Sequence, residues 1–157
     1  MEIKKRLLLI LVLYYVYIIF SFSVKPATIS GAESSHVAEF IYNLLIFVFP
    51  VPKENFLQVF EPVLRKIAHF SNFFILSVIM SGYISCYIKK LESRVFLSLS
   101  FCLLVAVFDE SLQLFSVGRA CRIFDVYIDF IGAALGIFLY NLPGALFYKV
   151  DFRRESL

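Results

Sequence analysis

The sequence predicts an all-α fold, a polytopic membrane helical bundle of about four transmembrane helices plus one short interfacial or re-entrant helix. Three observations carry this expectation. Of 157 residues, 61% are hydrophobic and only 17% are charged, far from the roughly half-apolar, quarter-charged makeup of soluble domains. Mean hydropathy is +0.84. Four apolar runs approach the ~20 residues needed to cross a hydrocarbon core of about 30 Å.

The first run, 7–24, follows the basic head "MEIKKR". It is long for a signal-peptide core, rich in bulky residues and followed by no clear small-residue cleavage site, so an uncleaved anchor helix is expected. A connection, 25–64, comes next and is expected to lie outside the cell. It holds "HVAEFIYNLLIFVFPVP", whose apolar part is too short to span. Glu39 and Asn43, four apart, share a face there, which suits a helix lying in the interface or dipping into it. The remaining spans are expected at 67–88, 95–115 and 124–142. A single membrane domain over 1–157 is expected, with 1–24 as the first helix and 65–148 as a three-helix core. With no Trp in the chain, an aromatic interface belt falls to Tyr14, Tyr15, Tyr17, Tyr140 and Tyr148.

Lys and Arg in short flanks favour the cytoplasm. Lys4, Lys5, Arg6, Lys89, Lys90, Arg94, Lys149, Arg153 and Arg154 fall on one side if four helices alternate. Lys25, Lys53, Arg65, Lys66, Arg119 and Arg122, spread over more residues, fall on the other. Both termini are therefore expected inside. A net charge of +3 is too small to imply nucleic acid. Three cysteines, Cys86, Cys102 and Cys121, show neither a disulfide framework nor metal spacing, and no cofactor motif is read.

Against this apolar background the stretch 108–132 is anomalous, since it gathers Asp109, Glu110, Gln113, Arg119, Arg122, Asp125 and Asp129. Asp109 is 14 residues beyond Val95, roughly 21 Å up a core of about 30 Å. Asp125 and Asp129 start the antiparallel helix that follows, and His69 starts the second, with Arg65 and Lys66 just before it. The polar groups thus share one outer layer. Asp109 and Gln113 lie on one face, as do Asp125 and Asp129, whose stripe continues through Gly132 and Gly136 and allows a neighbouring helix to approach. Ionisable groups at this depth cost about 2.5 to 3.5 kcal/mol each and call for partners. Simpler roles stand beside a functional one: Asp125 as a helix cap, Asp129 as a register-fixing ion pair, Asp109 and Glu110 paired with Arg119, His69 merely hydrogen-bonded, and Arg119 as a loop charge.

"RKIAHFSNFFILS", "DESLQLFSVGR" and "DVYIDFIGAALG" resemble the VanZ-like family of small bacterial membrane proteins. Its pattern is K-x-x-H-F, D-E-x-x-Q-x-F, an Arg in the short turn, and a last helix with two acids followed by G-x-x-x-G. Lys66, His69, Asp109, Glu110, Gln113, Arg119, Asp125, Asp129, Gly132 and Gly136 carry over. Leu112 stands where the family often has His, and Asn72 and Phe73 where an acid and a Tyr are common. The resemblance implies a multi-pass protein of the bacterial plasma membrane and a link, through the member that names the family, to resistance to the glycopeptide teicoplanin.

The function expected is binding or remodelling of an amphiphilic envelope ligand, such as a lipid-linked precursor or a lipoglycopeptide, with membrane lipid as partner. Arg65, Lys66, His69, Asp109, Glu110, Gln113, Arg119, Asp125 and Asp129 are the candidate ligand residues. The alternative is an enzyme acting on a lipid-linked substrate, with Asp109, Glu110 or His69 as acid or base. A divalent cation on Asp109, Asp125 and Asp129 is a minor variant, disfavoured because nearby Arg residues compete for the carboxylates. A proton relay is disfavoured too, because the inner halves of the helices offer only serines. Oligomeric state is left open.

Overall fold

The computed structural model describes residues 2–47 and 52–154, with the backbone alone for 143–154. Five helices follow in order: α1 (Glu2–Ser23), α2 (Ala27–Leu45), α3 (Lys53–Ser85), α4 (Leu91–Gln113) and α5 (Ile123–Arg154). No strand occurs among the described residues. The stretches Glu2–Ser23, Lys53–Ser85, Leu91–Gln113 and Ile123–Leu142 are long and apolar enough to cross a membrane. Their outward faces carry Phe96, Phe108 and Tyr127, each more than 60% exposed, a surface suited to lipid and not to water.

The central element is α3, which touches each of the other four helices. Ile19, Phe73, Leu76, Cys102, Val105, Ala106 and Ala133 form a core to which α1, α3, α4 and α5 all contribute. The tightest crossing is between α3 and α5. A side chain on Gly132 would overlap the Phe70 carbonyl, and one on Gly136 would overlap Ser77 Oγ and the Phe74 carbonyl. The expected glycine stripe therefore meets backbone of the neighbouring helix. Below this crossing the buried polar groups Ser77, Ser81 and Ser98 are hydroxyls only, with Ser81 donating to Ser98 at 3.4 Å.

The 25–64 region differs from expectation, for it is mostly helix. α2 and α3 each begin directly after a proline, Pro26 and Pro52, where the fixed φ suits entry and no N–H is needed. The helix expected near 37–50 is the second half of α2, and its last residues, 48–50, lie outside the described residues. Its buried stripe is Ala38 and Tyr42. Asn43 is exposed, and the half-buried Glu39 pairs with Lys53 at 3.0 Å. α3 starts well before 67 because Phe56, Phe60 and Leu64, four apart, form a half-buried stripe. Tyr42 and Phe56 rings sit 5.3 Å apart, and Phe56 stacks on Phe60 at 4.7 Å. Pro62 and the charges around it interrupt the apolar run, and so mask a helix that continues through them at the cost of one hydrogen bond to the Gln58 carbonyl.

Candidate functional site

Close packing of α3 on α5 fixes the first pair. His69, one residue before Phe70, places its Nδ1 3.2 Å from Oδ1 of Asp129, three residues before Gly132. An ionised carboxylate only accepts, so opposite ionised Asp129 the imidazole donates from Nδ1. Asp129 is fully buried, and its Oδ2 has no hydrogen-bond partner among the described residues.

The end of α4 supplies the second group, with Asp109, Glu110 and Gln113 all buried. Ser23, the last residue of α1, donates its hydroxyl to Asp109 Oδ1. Glu110 is bridged at both oxygens: Gln113 Nε2 donates at 2.7 Å and the Arg122 N–H at 2.8 Å. Glu110 thereby ties the end of α4 to the start of α5. Asp125 lies in the first turn of α5. It is not the cap residue, since Ile123 already opens the helix, but an acid there is favoured by the helix dipole.

The turn between α4 and α5 is latched to the bend between α1 and α2. Ser116 Oγ donates to the Ser23 carbonyl at 2.8 Å, Arg119 Nη1 reaches the same oxygen at 3.5 Å, and the Ala27 N–H donates to the Val117 carbonyl at 3.0 Å. Gly118 takes φ +77° in this turn, and a side chain there would press on Ala27 at 3.2 Å.

Between α1, α2 and α3 lies a cavity of about 420 Å³, within the usual range for small-molecule sites. Ile19, Phe22, Val37, Leu64 and Phe73 give it apolar walls, while Arg65, His69, Asp109 and Arg119 put charge at it. Partial burial first, and then repulsion from Arg65, hold the Arg119 guanidinium below its ordinary pKa. Neither arginine forms an ion pair among the described residues, and the expected pairing of Arg119 with Asp109 or Glu110 is not formed. The physical reason is the Ser23 carbonyl, which takes the guanidinium instead.

Of the residues singled out from sequence, Arg65, His69, Asp109 and Arg119 line the cavity, and Glu110, Gln113 and Asp129 stand buried behind them. Lys66 is not among the lining residues; it is exposed, with Nζ 4.9 Å from the Phe124 ring centroid. Asp125, half-buried, does not line it either. Leu112 is not a lining residue, so the histidine missing there is not missing from the cavity wall. Asn72 and Phe73, the other two departures, do line it, and Asn72 accepts from Tyr15 Oη at 3.4 Å. Sequence reasoning missed Ser23 and the α2 face of Ser30, Glu33, Ser34 and Val37. Their i, i+3, i+4, i+7 spacing is a helical stripe, a signal present in the sequence but polar enough to read as loop.

No curated protein and no solved structure matches the chain significantly. A family profile, described as VanZ/LLP1, matches residues 7–147. That match takes in α1, α2, α3, α4 and the membrane-length part of α5, so it extends well beyond the 65–138 motifs that carry the resemblance. The elements that build the cavity and those that bury the acids behind it all fall inside the matched region, and the chain belongs to the VanZ/LLP1 family.

Proposed function

We propose that this protein binds the headgroup of an amphiphilic cell-envelope ligand, a lipid-linked precursor or a lipoglycopeptide, in the cavity between α1, α2 and α3. The observation that carries the reading is the pair Arg65 and Arg119, two guanidiniums at one cavity whose like charges repel and neither of which is ion-paired to a carboxylate among the described residues. A phosphate or carboxylate between them relieves that repulsion and accepts bidentate hydrogen bonds. Asp109, Asn72 and Glu33 add acceptors for hydroxyls or an amine, while acyl chains remain against the exposed apolar faces. Glu110, Gln113 and Asp129 support this wall from behind, and Lys66 and Asp125 flank it. A link to teicoplanin resistance follows only if such a ligand is the drug or its target.

The test is binding of fluorescent undecaprenyl phosphate to the full chain in nanodiscs. Arg119→Ala is expected to weaken binding about tenfold or more, as charge-assisted bonds are worth roughly 1.5 to 3 kcal/mol. Equal affinity in Arg65→Ala and Arg119→Ala counts decisively against the reading. A second reading, chemistry on a lipid-linked substrate, is favoured by one observation: Asp129 holds Nδ1 of a histidine that itself lines the cavity, the arrangement of a positioned general base. Lipid recovered unchanged from the same samples removes it.

The proposed arrangement in the plasma membrane has four crossings, both termini in the cytoplasm and the cavity outside. Charge bias supports it, and the native cysteines test it. Cys121 is exposed in the α4–α5 turn, Cys86 half-buried at the opposite end of α3, and Cys102 buried. A membrane-impermeant maleimide is expected to label Cys121 in intact cells and Cys86 only after permeabilisation. The reverse pattern inverts the orientation.

A further inference from the structure

Three carboxylates, Asp109, Glu110 and Asp129, are each no more than 2% exposed. Among the described residues none of them is ion-paired to Lys or Arg, and the one basic partner is His69. One ligand atom each from His69, Asp109 and Glu110 lies within 4.8 Å of the other two. From these facts we infer that His69, Asp109 and Glu110 bind a divalent first-row metal ion of the Zn²⁺ class, with Asp129 orienting the imidazole.

The chemistry of the donors fits. One imidazole nitrogen with two carboxylate oxygens is a borderline donor set that suits Zn²⁺ better than the all-oxygen shells of Mg²⁺ or Ca²⁺. Ligands about 2.0 to 2.2 Å from a tetrahedral ion lie roughly 3.4 Å from one another, so shifts below about 1 Å close the three atoms onto it. Three protein ligands leave the fourth position open, and the cavity that His69 and Asp109 line gives that position access. Metal-bound histidines usually donate their other N–H to a carboxylate, the geometry of His69 Nδ1 and Asp129 Oδ1 at 3.2 Å.

Glu110 already accepts from Gln113 and the Arg122 N–H, but two oxygens carry about four lone-pair sites, which leaves room for a metal bond and holds the carboxylate still. Asp129 Oδ2, buried and without a hydrogen-bond partner among the described residues, is a further sign that this pocket of negative charge is short of a cation. The arginine anticipated as a competitor is not ion-paired to these acids among the described residues; Arg119 Nη1 reaches the Ser23 carbonyl instead. The set also differs from the one the sequence suggested: Asp125 lies outside the cluster, and Asp129 is engaged with His69.

The inference does not rest on the amphiphile reading, and its test uses no lipid. Full-length protein in detergent is stripped with a chelator, dialysed against Zn²⁺, and assayed for bound zinc by mass spectrometry and for affinity by chelator competition. About one zinc per chain is expected. His69→Ala and Asp109→Asn are expected to lower affinity at least ~100-fold, and Asp129→Asn about 10- to 100-fold with stoichiometry kept at saturation. Glu92→Gln, a distant exposed acid, is expected to match the parent. Should the variants fail to fold, the unmutated chain decides the matter through Co²⁺, whose visible bands strengthen in a four-coordinate site. Zinc below about one-tenth equivalent, parent affinity in His69→Ala, or no change in the Co²⁺ spectrum overturns the proposal. Loss of lipid binding in Arg119→Ala with zinc retained separates the two readings.

Discussion

Gly132→Ala is expected to destabilise the protein by about 1 to 3 kcal/mol or more, the usual cost of forcing atoms into a packed interface. The added methyl falls on the Phe70 carbonyl, which belongs to helix backbone and has no rotamer into which to retreat. α3 and α5 must separate there, one residue from His69 and three from Asp129. The expected result is a drop of several degrees in the unfolding midpoint in a fixed detergent. Gly82→Ala is the matched control, since its methyl meets only side-chain atoms at 3.8 Å. In mid-helix that substitution is expected to be neutral or mildly stabilising, by up to about 1 kcal/mol. Equal midpoints for Gly132→Ala and the parent would mean that the helices do not pack this closely.

Glu110→Ala is the second large effect. The change removes an acceptor only 1% exposed and strands the buried Gln113 amide together with the more accessible Arg122 N–H. A buried unsatisfied donor costs about 1 to 3 kcal/mol, so a loss of roughly 1 to 4 kcal/mol is expected, with easier proteolysis of the 114–122 turn. Glu110→Gln keeps one acceptor oxygen and is expected to recover about half of that loss. If alanine and glutamine behave alike, Glu110 does not hold the turn.

Much of this architecture was legible because apolar length and helical spacing are local properties. Four spans, the glycine face of α5 and the gathering of His69, Asp109 and Asp129 all follow from counting residues along antiparallel helices. Which partner each charge chooses was not legible. Arg119 was expected on a carboxylate, yet the carbonyl of Ser23, from the far end of α1, sits closer to hand. Charge alone does not rank a carbonyl above an acid; only the tertiary path of the chain does. The same limit explains Lys66, whose neighbour in the motif, Arg65, turns to the cavity while Lys66 turns to Phe124. Adjacent residues on a helix differ by about 100° in direction, so a motif can be right in sequence and divided in space. α2 was hidden for another reason. Its cavity face is polar, and a stripe of Ser and Glu gives no apolar period to detect.

The latch at Ser23 also bears on how the molecule is made. Its carbonyl accepts from Ser116 and Arg119, 93 and 96 residues later in the chain. At translation rates of about 5 to 20 residues per second, that separation is roughly 5 to 20 s of synthesis. Throughout that interval α1 and α2 lack the turn that closes them. The polar cavity is therefore among the last parts of the protein to be completed, because the turn that closes it on α1 is made only after α4.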